Sequence, residues 1–197
     1  MPRTVEKWAA SVPDAFQFTF KVSRAITHNK GLAFNPDDIH RFLQIVNFVG
    51  AKKGCLLIQF PGKLSVAQAG QLEDLLKVIL QADAADEWKI ALEFRNTSWY
   101  HDNVYDLLHQ HNMSLVLHDM PSSAPPLKEM KQAFVYIRLH GPEKGYRGSY
   151  SNEFLFPFSK QIRTYKEEGK PVYVYFNNTL GDAVNNLITL NQFLKST

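Results

Sequence analysis

Two textures of apolar residues alternate along this chain. Six short runs rich in β-branched and aromatic residues, at 16–22, 55–60, 89–94, 115–119, 134–139 and 171–176, are each closed by polar residues. Such runs predict strands buried on both faces of a parallel sheet. Between them apolar positions recur at helical spacing. Over 37–49, Ile39, Phe42, Leu43, Val46 and Val49 share one face, with Gly50 and Gly54 as stops. Over 65–81, Leu72, Leu75, Leu76, Ile79 and Leu80 repeat the design behind Ser65 as N-cap. Shorter helical patterns cover 104–111, 158–168 ahead of Gly169, and 182–194, where Ala183, Leu187, Leu190 and Leu194 form the apolar face.

The exception is 120–132, where Pro121, Ser122, Ser123, Pro125 and Pro126 leave room for a loop and at most two helical turns. Elsewhere helix follows strand, which demands right-handed crossovers and a parallel sheet covered by helices. The fold class is therefore α/β, as a barrel or a doubly wound sheet, and periodicity does not choose between them. No glycine-rich phosphate loop follows any strand, which removes the usual evidence for a nucleotide-binding open sheet.

Composition narrows this picture only slightly. With 197 residues and 45% hydrophobic content the chain reads as one ordinary domain with one substantial core. The 22 Lys and Arg against 19 Asp and Glu give a net charge of +3, too mild to indicate nucleic acid. Cys55 is the sole cysteine, so an intrachain disulfide or thiolate cluster is excluded and a small buried core residue is expected. Residues 2–7 lack the apolar segment of a signal peptide. No apolar stretch approaches the roughly 20 residues that span a bilayer, so a cytoplasmic protein without membrane association is expected.

The candidate chemistry collects at the carboxyl ends of the predicted strands. Lys21, Gln59, Glu93 with Arg95, His118 with Asp119, Arg138 with His140, and Asn177 with Asn178 all stand there, where parallel α/β architectures hold functional groups on a rigid base. Side chains two apart share a direction, so Glu93 and Arg95 form one pair and Arg138 and His140 another. Lys21, Arg95 and Arg138 suit a phosphate, sulfate or carboxylate. Against this, Glu93 and Arg95 can simply neutralise each other, as buried charges require. His118 and His140 are each a general acid or base oriented by a carboxylate, or a satisfied structural histidine. Glu93, His118, Asp119 and His140 could ligate a metal. Three cations in the same region would repel it and no tight ligand spacing is present, so no metal or cofactor is expected. The loop 141–150, with three glycines and two tyrosines, reads as a lid or a plain surface loop. Tyr173, Tyr175 and Phe176 either fill the core or stack a sugar or base.

These residues resemble the YecE-like family, TIM barrels catalogued as domain of unknown function 72. The matching pieces are Phe18-Thr19-Phe20-Lys21-Val22 with Ile26-Thr27-His28, Leu57-Ile58-Gln59-Phe60-Pro61, and Glu93-Phe94-Arg95 with Ser98-Trp99. They continue through His118-Asp119, Arg138-Leu139-His140-Gly141, Gly148-Ser149-Tyr150, and Phe176-Asn177-Asn178 ahead of Gly181 and Ala183. The chain departs from the family at Asn96, where a histidine is usual, which weakens a catalytic role for that position. The resemblance implies an incomplete TIM (β/α) barrel with six of eight parallel strands, lacking the N-terminal βαβ portion. Met1-Pro2-Arg3 would be the loop after the missing second strand, and the open barrel edge predicts either a fragment whose upstream piece is lost or a homo-oligomer that covers the gap. A length of 197 residues against about 250 for a typical barrel agrees.

Two functional readings follow. In one, an enzyme acts on an anionic small molecule, phosphorylated or carboxylated, with Glu93, Asp119 and His140 handling protons. Lys21, His28, Gln59, Arg95, Arg138, Tyr150 and Asn177 would then bind the ligand. In the other, the same cations serve a non-catalytic module that binds an anion or a nucleic-acid backbone, the latter being the less expected partner.

Overall fold

A computed structural model describes residues 2–85, 87–126, 132–143 and 145–196. The chain forms two compact units, Met1–His101 and Asp102–Thr197.

In the first unit, α1 (Pro2–Ala10) precedes β1 (Phe18–Lys21), the short α2 (Arg24–Thr27) and α3 (Pro36–Val46). Then follow β2 (Lys53–Phe60), α4 (Ala69–Ala82) and β3 (Lys89–Phe94). The strands pair in parallel in the order β1-β2-β3, with Gln59 opposite Glu93. Local signals account for the boundaries. The Asn35 side chain accepts from the Asp37 N–H and Pro36 opens α3, its fixed φ suiting the first turn. Ser65 and Gln68 form a capping box around one 3-10 turn that leads into α4. α3 stops at Val46, short of the expected 49, because a 3-10 turn over Asn47–Lys52 takes over, with Gly50 at φ 61°. The helices bury Ile39, Leu43 and Val46, and Leu72, Leu75, Leu76 and Ile79, each contributing roughly 1.5–3 kcal/mol. Cys55 is fully buried in β2.

The expectation of a loop at Met1-Pro2-Arg3 is corrected, since Pro2 and Arg3 lie in the first turn of α1. Proline is tolerated there because its missing N–H would be unbonded in any case. Lys52 holds the far end of α1, its ammonium donating to the carbonyls of Ala9 and Val12 at 2.7 Å each. A cation at a helix C-terminus satisfies orphan carbonyls and suits the dipole.

The second unit comprises α5 (Asp102–Gln110), β4 (Ser114–His118), β5 (Val135–Leu139), α6 (Asn152–Glu167), β6 (Val172–Phe176) and α7 (Ala183–Lys195). Its strands pair in parallel as β4-β5-β6. Val135, Ile137 and Leu139 join Val172, Val174 and Phe176 in one cluster with Leu155, Phe158 and Phe193 from the helices. The two-residue period turns Tyr136, Arg138, Tyr173 and Tyr175 to the other face. There the Tyr136 ring stacks on Tyr175 at 5.0 Å and on Tyr173 at 6.3 Å.

Two helices differ from expectation. α6 begins at Asn152 rather than 158 and runs through Pro157, because Ser151 supplies the carbonyl that accepts from Phe154 and Leu155. In α7 the apolar face is rotated: Leu190 is buried, but Leu187 is 44% exposed and Asn186 only 3%. The loop expected at 120–132 opens with a turn in which Ser123 N donates to Met120 O, and its residues 127–131 lie outside the described set. Within each unit the strands run parallel in sequence order, the repeated strand-and-helix connectivity of an incomplete (β/α) barrel with six strands. No helix among the described residues is long and apolar enough to cross a membrane.

Candidate functional site

β4 and β5 are parallel neighbours, so the residues that leave their carboxyl ends, Asp119 and His140, emerge side by side. The His140 main-chain N–H donates to Asp119 Oδ1 at 2.7 Å, and His140 Nδ1 lies 3.3 Å from the same oxygen. The Tyr150 hydroxyl donates to Asp119 Oδ2 and accepts from the Gly141 N–H at 2.5 Å. Burial pushes the Asp119 carboxyl up, but the hydrogen bonds from His140 and Tyr150 outweigh it and hold the group below the usual aspartate range. Burial and the Asp119 charge together push the Tyr150 phenol far above its ordinary value. An ionised Asp119 can only accept, so His140 turns an Nδ1–H towards it. His118 has the reverse arrangement. The Met120 N–H donates to its Nδ1 at 3.3 Å, which puts the proton of the neutral ring on Nε2.

The loop after His140 builds the rest of the wall. Gly141 sits at φ 108°, and a Cβ there would lie 2.2 Å from Arg147 O. Gly148 and Gly181 meet equally closely, a Cβ on Gly181 falling 2.2 Å from Gly148 O. Asn186 of α7 fastens the loop: Oδ1 accepts from Tyr150 N at 3.1 Å and Asn178 Nδ2 at 3.0 Å, while Nδ2 donates to Ser149 Oγ and Tyr150 O. Asn178 also donates to Gly148 O at 2.9 Å. The stretch expected to be a lid or a surface loop is thus a loop tied to α7. Within it Tyr146 takes φ 65°, which costs a bulky residue about 1–2 kcal/mol, and its ring lies 5.6 Å from that of His140. Asp119, Met120, His140, Tyr146, Tyr150 and Phe154, with Glu143 and three serines, line a cavity of about 700 Å³, within the roughly 300–1,000 Å³ of ligand sites.

Other strand-end groups meet in pairs. Arg138 Nε donates to Asn177 Oδ1 at 3.0 Å. In the first unit, Lys21 Nζ donates to Gln59 Oε1 at 2.8 Å and Gln59 Nε2 donates to Phe60 O. Arg95 forms an ion pair with the fully buried Glu93, the neutralisation set against a functional role above. Asn96 caps the turn Thr97–Trp99, accepting from Ser98 N at 3.0 Å, and donates to Gly62 O. That capping duty suits an amide at this position. His28 Nδ1 contacts Thr27 Oγ1 at 2.8 Å. Its pKa is lowered by burial, then by the charges of Arg24, Lys21 and Lys63, three cations that lie near it around the ends of β1 and β2. Among the described residues no three His, Cys, Asp or Glu are grouped as metal ligands.

Of the expected site residues, Asp119, His140 and Tyr150 come together on one cavity. Arg138 joins Asn177, Lys21 joins Gln59, and Glu93 joins Arg95. Sequence reasoning missed Asn186 and the position of Tyr146. A polar residue interrupting the apolar face of a predicted helix is the signal that could have found the first.

Comparison with known proteins agrees with this architecture. The family described as "Protein of unknown function DUF72" matches residues 1–197. A solved structure of a DUF72 family protein from Enterococcus faecalis V583 is similar at a TM-score of 0.82 and 23% identity, covering 100% of this chain and 85% of that one. No curated protein matches this chain.

Proposed function

The chain belongs to the DUF72 family, whose description assigns no function, and from that premise we propose that it is an enzyme that moves protons on a small molecule bound in the cavity of the second unit. The observation that supports this is the oriented His140: Asp119 fixes the tautomer, and Tyr150 and the His140 main chain fix Asp119. His140 Nε2 takes a proton from the substrate, and Asp119 stabilises the imidazolium that forms. Arg138, its plane set by Asn177, suits an anionic group on that substrate, a phosphate or carboxylate. Glu93 in this reading holds Arg95 in place and leaves proton transfer to His140. The single buried Cys55 suits a reducing compartment such as the cytoplasm.

A second reading, an anion-binding module without turnover, is favoured by the basic group Lys21, Arg24, His28 and Lys63 in the first unit. One experiment separates the two. Turnover is assayed on a panel of phosphorylated sugars and carboxylic acids, alongside the melting temperature in inorganic phosphate. The enzyme reading expects His140→Gln to lose roughly 10²–10⁴-fold in rate with much of the binding kept. The binding reading expects no turnover and a phosphate-induced rise in melting temperature that Lys21→Ala with Lys63→Ala removes. Neither turnover nor a thermal shift would sink both.

A further inference from the structure

The cavity beside His140 has a recognition chemistry that the proton-transfer reading leaves unused. Tyr146 holds its ring there from a left-handed backbone, a conformation a bulky residue keeps only where its surroundings impose it. Gly145 and Gly148, themselves at positive φ, flank it, and Leu180 N donates to its carbonyl at 3.0 Å. The ring is not spent on the core, since Tyr146 is 44% exposed and lines the cavity together with Phe154. The described polar lining of the cavity includes Asp119 and Glu143, the hydroxyls of Ser122, Ser149 and Ser151, and His140 with Tyr150. No lysine or arginine stands among the described lining residues.

Carboxylates and hydroxyls beside an aromatic face ask for a ligand with O–H donors around a flat patch of C–H bonds. They repel a phosphate or carboxylate. We infer that this cavity seats a neutral hydroxylated ring of pyranose size, its C–H face laid on Tyr146 and its hydroxyls turned to Asp119 and Glu143. The inference rests on His140 being the base of the same cavity, and it names the part of the substrate on which that base acts. An anionic group, where the substrate carries one, lies outside the cavity.

The test titrates the full chain with glucose, galactose, xylose and methyl α-D-glucopyranoside by calorimetry or ligand-observed NMR, with inorganic phosphate as comparator. At least one pyranose is expected to bind. Tyr146→Gly is expected to weaken it about tenfold or more by removing the stacking face, and Tyr146→Phe to retain it. Because glycine accepts positive φ without strain, Tyr146→Gly should melt no lower than the native chain, a result that a packing role for the ring would not give. The inference is overturned if none of the four sugars binds, if Tyr146→Gly binds as well as the native chain, or if Tyr146→Gly loses its fold. Its failure is separable from that of the proton-transfer reading. Tyr146-dependent sugar binding with turnover indifferent to His140→Gln sinks the latter alone, and the converse result sinks only the ring.

Discussion

Asp119 serves three donors with two oxygens: the His140 main chain and imidazole on one, and the Tyr150 hydroxyl on the other. That crowding makes the residue a source of pH dependence. Its carboxyl is held below the ordinary range, so its contribution to stability is full above the unfolded value near 3.9 and is lost as pH falls through the lower folded value. Tyr150 behaves with the opposite sign. Its phenol is raised, so its contribution is full below the unfolded value near 10 and is lost as pH rises towards the folded one. Urea unfolding across a pH series should therefore show Asp119→Asn flattening the acid limb and Tyr150→Phe flattening the alkaline limb. Tyr150→Phe also leaves the Gly141 N–H without its partner, costing about 1–3 kcal/mol at neutral pH. Unchanged limbs in both variants would show that the carboxylate is not held as described. Asp119 and His140 were each legible as polar groups just past a strand end, but the sequence grouped Asp119 with His118 and His140 with Arg138, and their own contact depends on the pairing of β4 with β5. Tyr150 lies ten residues beyond His140 in a loop, where no period fixes a direction, so only the family resemblance marked it.

At the scale of elements, close backbone approach decides what the loops tolerate. Gly181 lies so near Gly148 that a methyl group would strike a carbonyl oxygen rather than a movable side chain. Gly181→Ala should cost about 1–3 kcal/mol, as overpacking does, and should disturb the cavity wall. Gly70 in α4 has nothing within 4 Å of its missing Cβ and no positive φ, so Gly70→Ala should stabilise by up to about 1 kcal/mol. Denaturant midpoints check both, and equal shifts in the two variants would contradict the packing described. All six strands were legible as continuous apolar runs, although β1 and β6 are only partly buried rather than buried on both faces. Helix ends were read less well. The sequence pattern put α6 at 158–168, whereas the Ser151 carbonyl accepts from Phe154 and Leu155 and the helix starts at Asn152. α7 was misread because Asn186, a polar residue within the apolar face four residues before Leu190, is buried only by virtue of the loop whose groups it bonds.

For the whole molecule, the alternation of strand and helix specified an α/β fold, but not whether its strands close into a barrel or open into a doubly wound sheet. Parallel pairing in sequence order within each unit and the match to a solved DUF72 structure fit the barrel type. The strand-end residues were legible as a set, their pairings only in part. Parity placed Glu93 beside Arg95, but it could not show that Arg138 would reach the next strand to meet Asn177, or that Lys21 would reach Gln59. Those contacts depend on side-chain reach across strands rather than on period. The bond between Asn186 and the loop after β5 bears on how such a scaffold can change. A graft that swaps residues 141–151 for a loop of another shape must still offer Asn186 an amide, a carbonyl and a hydroxyl, or bring a rewritten α7 with it. Specificity in this unit is therefore inherited as a block of loop plus helix, and library designs that diversify the loop alone should yield mostly misfolded members.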